Sequence, residues 1–170
     1  FFSFIFPSTM VVCNGSFSLV FLWDCLCVLS VIHPEMKYLF GKVTMYPNYS
    51  TECRDLLLAF LHKYFPDPDE LVRPIEPLQH TYTLADFSSL ITGDDFKGDY
   101  KRVNCFIREH GFNIPPLVNA YMGLSSTMRM FGTAINHEFG EVEESGIFLS
   151  IDEITDEKKD RHIQTFVATH

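Results

Sequence analysis

The 170-residue sequence has no Gly-x-Gly-x-x-Gly, no phosphate-binding loop, no Gly-x-Ser-x-Gly and no His-Glu-x-x-His. Those absences remove any motif-level case for a dinucleotide, a nucleoside triphosphate, a serine hydrolase or a zinc protease. Positive charge is also scarce. Thirteen Lys and Arg face twenty-two Asp and Glu, for a net charge of −9. A chain so acidic has little with which to neutralise a run of phosphates, which argues against a nucleic-acid partner. An anionic membrane surface is disfavoured for the same reason. No Lys or Arg precedes Lys37, so the basic region that opens a signal peptide is missing. Cysteine is sparse and odd in number, at positions 13, 25, 27, 53 and 105, with no zinc-site spacing. Cys25 and Cys27 form only a Cys-x-Cys within an apolar run. Buried free thiols in a reducing compartment are the expectation.

What is present is a core-forming composition: 46% hydrophobic and 21% charged residues. That suits a globular domain rather than a disordered chain, and the length fits one domain. Residues 1–36 differ from the rest, with Asp24 and Glu35 their only formal charges. The run from Phe17 to His33 is a little short of the roughly 20 residues that span a bilayer. Asp24 at its centre would cost about 2.5–3.5 kcal/mol there. Phe17 to Val31 therefore reads as a helix buried in a domain, and a membrane anchor made of residues 1–33 is the alternative. Residues 1–16 show no period and no initiator methionine. They are expected to be the unpatterned start of a fragment, poorly packed and exposing apolar surface.

Further along, Tyr38 to Met45 is β-rich and predicts a buried strand that stops before Pro47. Cys53, Leu56, Leu57, Phe60, Leu61 and Tyr64 recur at helical spacing, which predicts a helix over Ser50 to Phe65 with Ser50 as N-cap. Pro66 and Pro68 end it. A weak helix is expected over Leu84 to Leu90. A stronger one follows in "DFKGDYKRVNCFIREHG", with Tyr100, Val103, Phe106 and Ile107 on one face and Gly111 closing it. Pro115 and Pro116 open another short helix. After Ser126 the period changes. Met128 to Ile135 and Ile147 to Asp152 predict an antiparallel hairpin around a turn at Asn136 to Glu143. Thr155 to Phe166 can form a terminal helix. The order predicts an α/β (α+β) domain with a mixed sheet.

The stretch "PPLVNAYMGLSSTMRMFGTAINHEFG" sets the chemical question. Asn119, Tyr121 and Arg129 interrupt a hydrophobic passage that ends among Glu138, Glu141, Glu143 and Glu144. One reading is a helix-to-hairpin corner with a solvated turn. The other is a site for an apolar substrate with a polar reacting end. On that reading Glu144 positions an amine or takes its proton, and Tyr121 donates to a departing thiolate. The structural alternative for Tyr121 is a packed ring with a bonded hydroxyl. The seven histidines are scattered and read as surface or satisfied side chains. Asp94, Asp95 and Asp99 lack calcium-loop spacing, and they read as a solvated helix start. No metal site is expected.

Three phrases carry a resemblance: "LWDCLCVLSVIHPEMKYLFGKVTMYPNYS", "DFKGDYKRVNCFIREHGFNIPPLVNAYMGLSSTMRMFGTAIN" and "FGEVEESGIFLSID". They resemble the bacterial GNAT-like N-acyltransferases often labelled hemolysins, a group that includes ornithine and glycine N-acyltransferases. The likeness runs from about Phe21 to about Ile163. It implies a GNAT-like mixed sheet, with a helical insert over about 67–126 and a C-terminal antiparallel hairpin. Residues 17–170 would be a partial domain lacking the N-terminal strands. The implied reaction moves a fatty acyl group from acyl carrier protein or acyl-CoA to a small α-amine. The thioester is a co-substrate, and no cofactor is permanently bound. Tyr121 and Glu144 become the catalytic candidates. Phe40, Gly41, Lys42, Asn119 and Phe131 become the acyl- and substrate-binding candidates. A cytoplasmic location with peripheral membrane contact would follow. Different classes of protein compete with this reading: a lipid- or acyl-carrier-binding module that transfers nothing, or a small membrane-anchored protein.

Overall fold

The computed structural model describes residue 33 and residues 35–154. The expectations for residues 1–16, for the Phe17 to Val31 helix and for the terminal helix lie outside the described residues. The described order is β1 (Tyr38–Met45), α1 (Thr51–Tyr64), α2 (Phe96–Glu109), α3 (Pro116–Met122), β2 (Arg129–Asn136) and β3 (Val142–Ser150). A 3₁₀ turn at His137–Phe139 joins β2 to β3, and another at Ile151–Glu153 follows β3. The sheet order is β1-β3-β2, and β2 pairs antiparallel with β3. The α/β class and the hairpin expected from the sequence are present, and the arrangement is consistent with a partial GNAT-like domain.

Several boundaries differ from expectation. β3 begins at Val142 and stops at Ser150, because Ile151 turns to donate its N–H to the Lys37 carbonyl at 2.9 Å. In β1 only Val43 and Met45 are buried, while Tyr38 and Phe40 are more than half exposed. Residues 84–90 form successive turns rather than a helix. Asp86 ties that segment down by accepting from both the N–H and the hydroxyl of Thr83. Ser50 sits at the N-cap of α1 without a side-chain capping bond.

The chain divides into two compact units, one of residues 1–40 and 149–170 and the other of residues 41–148. In the second, α1 is the central element. Its expected apolar stripe is buried except at Tyr64, which is partly covered, and Leu58, Arg54 and Asp55 are buried as well, so the helix is enclosed on most sides. α2 packs on it through rings. Phe60, Tyr64 and Phe96 lie within 5.0–5.5 Å of one another, and Phe96 stacks on Tyr100 at 6.3 Å. Such pairs add about 0.5–1.5 kcal/mol beyond the area they bury.

Local chemistry sets the ends of α2. The Asp95 side chain caps it by accepting from the N–H groups of Lys97 and Gly98. At its other end Gly111 takes a left-handed φ of 82°. That conformation lets Phe112 N–H reach the Ile107 carbonyl and Gly111 N–H reach that of Arg108.

Asp99, expected in a solvated helix start, is fully buried. Its carboxylate accepts from Tyr64 Oη at 2.6 Å, Thr92 Oγ1 at 3.0 Å and Gly93 N–H at 2.8 Å, and it is paired with Arg102. Burial alone would raise its pKa. Bonds from Tyr64, Gly93 and Thr92 outweigh burial and hold the carboxyl well below its usual range. The stabilisation is complete above the unfolded value of about 3.9 and is lost as pH falls below it toward the folded value. Asp99→Asn should therefore lower unfolding free energy at pH 7 by about 3 kcal/mol. The deficit should shrink in urea titrations at pH 2.

Candidate functional site

The polar residues of the 115–140 passage each have a place. Asn119 Oδ1, on α3, accepts from Tyr100 Oη at 2.9 Å. Arg129 reaches Asp67 at 3.2 Å and Asp69 at 2.5 Å, fastening the start of β2 to the segment after α1. Tyr121 lies against β1. A Cβ added at Gly41 would stand 2.3 Å from the Tyr121 hydroxyl oxygen, so only glycine admits this ring so close to the strand. Burial pushes the Tyr121 hydroxyl above its ordinary pKa, so it stays protonated across the physiological range.

Lys42, the next residue of β1, donates to both Glu144 carboxylate oxygens at 2.8 Å. Asn136 Nδ2 adds a contact at 3.2 Å. Successive residues of a strand point to opposite faces. Tyr121 therefore meets β1 on the Gly41 face, and the Lys42–Glu144 pair forms on the other. The structure brings Gly41 and Tyr121 together, and likewise Lys42 and Glu144, but it does not join Tyr121 and Glu144 into one acid–base couple. Phe131 is buried, with its ring 6.3 Å from that of Phe148. Phe40 is exposed and belongs to the other compact unit.

The acids of the hairpin divide in the same way. Glu138 and Glu141 are exposed, and Glu141 accepts from His137 at 2.7 Å. Glu143 is instead largely covered and accepts from Arg54 Nη1 at 2.5 Å. Its partner belongs to a buried polar network. Arg54 Nε donates to Asp55 Oδ1 at 2.9 Å, and His80 Nδ1 lies 3.0 Å from the same oxygen. Asp55 Oδ2 accepts from the N–H groups of Thr81 and Tyr82 at 2.8 and 3.0 Å. Burial disfavours the Asp55 charge, but bonds from Tyr82, His80, Thr81 and Arg54 prevail and hold its pKa below the usual carboxylate value.

The segment carrying His80 is positioned by β2. Leu78 N–H bonds the Thr133 carbonyl at 2.8 Å, and Pro77 bridges Ala134. Gly132 leaves room for Pro74, whose Cδ would be 2.6 Å from an added Cβ. Sequence reasoning placed Glu143 in a solvated turn and counted His80 among scattered histidines. Arg54 and Asp55 carried the overlooked signal, since an Arg-Asp dipeptide inside an otherwise apolar helix must find buried partners. Among the described residues, no three His, Cys, Asp or Glu side chains are placed to hold a metal ion. No helix among them is long and apolar enough to cross a membrane.

Comparison with known proteins bears out the resemblance to N-acyltransferases. The chain is 54% identical over 165 residues to a glycine N(alpha)-acyltransferase of Bacteroides thetaiotaomicron, covering 97% of this chain and 49% of that protein. It is 51% identical over 165 residues to a protein of the same name from Phocaeicola vulgatus, covering 97% of this chain and 51% of the relative. The chain thus spans about half the length of these curated relatives. No family model and no solved structure matches it.

Gly41→Ala should displace the Tyr121 ring and lower unfolding free energy by about 1–3 kcal/mol. In a double-mutant cycle with Tyr121→Ala, the two substitutions should couple by about 1 kcal/mol or more, read by urea unfolding.

Proposed function

We propose that this chain is part of an N-acyltransferase that moves a fatty acyl group from a thioester, on acyl carrier protein or coenzyme A, to the amine of glycine or a similar α-amino acid. One observation carries the reading: identity above 50% along 97% of the chain to two proteins named for glycine acylation. The amine attacks the thioester carbonyl, a base takes its proton, and the thiol leaves.

On this reading the candidate residues divide their roles as follows. Tyr121, protonated and pressed against Gly41, serves as a wall and hydrogen-bonding group for the long acyl thioester. Its retained proton also suits the expected donation to the departing thiolate. The Glu144 oxygens are already engaged by Lys42 and Asn136, so this carboxylate fixes β1 against the hairpin rather than taking a proton. Asn119, on the same helix and held by Tyr100, supports this wall.

The test is glycine-dependent thiol release from acyl-CoA or acyl carrier protein. It is run on the chain alone and on the chain joined to the unmatched half of the Bacteroides relative. Release in either form is expected. Its absence with every acyl donor would favour the lipid- or carrier-binding module. In the active form, Tyr121→Phe should raise the thioester KM several-fold with little change in kcat. Glu144→Gln should lower thermal stability while leaving kcat within about tenfold. A fall of roughly 10²-fold would instead make Glu144 the base.

A further inference from the structure

The buried Asp55 and the half-exposed His80 form a pair that the assignments above leave unused. Asp55 is 1% exposed and has four donors on its two oxygens. Three of them come from consecutive residues, His80, Thr81 and Tyr82. The carboxylate therefore fixes both the backbone of this segment and the ring that it carries. A carboxylate only accepts, so His80 Nδ1 must carry the proton in this contact. In the neutral ring the lone pair then sits on Nε2. The His80 side chain is 38% exposed while its carboxylate partner is wholly covered. An oriented imidazole, supported by a buried carboxylate and itself partly open to solvent, is suited to act as a base.

We propose that His80 is the catalytic base of the acyl transfer, with Asp55 as its positioning residue. The assignment rests on the N-acyltransferase reading. The neutral amine nitrogen attacks the thioester carbonyl carbon, and the C–N bond forms. Its surplus proton passes to His80 Nε2. The carbonyl reforms as the C–S bond breaks, and the departing thiolate takes the proton from Nε2. The products are an amide and a free thiol, and the imidazole is neutral again. Asp55 stabilises the imidazolium between the two transfers, as a buried carboxylate does for a histidine that acts as base and then acid.

The surroundings set the direction of the pH dependence. Asp55 and Arg54 of α1 face the ring and its carboxylate. His62, also on α1, is close enough that His80 adds to burial in lowering its pKa. Glu143 of β3 balances Arg54 from the far side. Only neutral His80 accepts a proton, so kcat/KM should fall toward acid pH.

The experiment uses the active form from the thiol-release assay. His80→Gln should reduce kcat by 10²-fold or more, leave the glycine KM within about threefold, and abolish the acid limb of the pH profile. His80→Ala should regain turnover when imidazole is added, which a structural role for the ring does not predict. Asp55→Asn should also lower kcat, and a thermal melt shows whether it folds. If it does not, the His80 variants decide the matter. Wild-type activity with His80→Gln within threefold, or with an unchanged acid limb, overturns the assignment and leaves the N-acyltransferase reading standing. A wild type with no glycine-dependent release in either form overturns both.

Discussion

The fold turns on a single buried carboxylate. Asp55 sits in the first half of a helix that is covered on most sides, where an isolated charge would be prohibitive. It persists because four donors converge on it from the helix itself and from the segment alongside β2. Arg54 then needs a second anion, and the hairpin supplies Glu143. One dipeptide thus links α1, residues 80–82 and β3. Apolar packing supplies the bulk of the stability. The polar network ties these pieces together at defined contacts.

The sheet divides the molecule's chemistry. Tyr121 approaches β1 where Gly41 leaves the backbone bare, and Lys42 and Glu144 pair on the reverse side. The relatives named as glycine acyltransferases are about twice the length of this chain.

Periodicity made much of this legible. Cys53 to Tyr64 announced a helix, and the change of period after Ser126 announced the hairpin. The resemblance pointed to acyl transfer. What stayed hidden were partnerships over long separations. Nothing near His80 in the sequence points to Asp55, and neither Glu143 nor Arg54 betrays the other. Asp99 looked solvated because its neighbours Asp94 and Asp95 are. Its burial depends on Tyr64, which sits on a different helix. Strand alternation did carry one usable warning. Gly41 and Lys42 are adjacent, so partners that each of them touches must lie on opposite sides.

The ion pair between Lys42 and Glu144 spans 102 positions, and that between Arg54 and Glu143 spans 89. Contacts of such separation close large loops before they return any energy, and they slow the search for the native state. α1 and α2 can form and dock through Phe60, Tyr64 and Phe96 while the hairpin is still unpaired. The charges of Arg54 and Glu143 lose their water only when the hairpin meets α1. A chain that stalls before that step keeps a solvated Glu143 and an open side of α1.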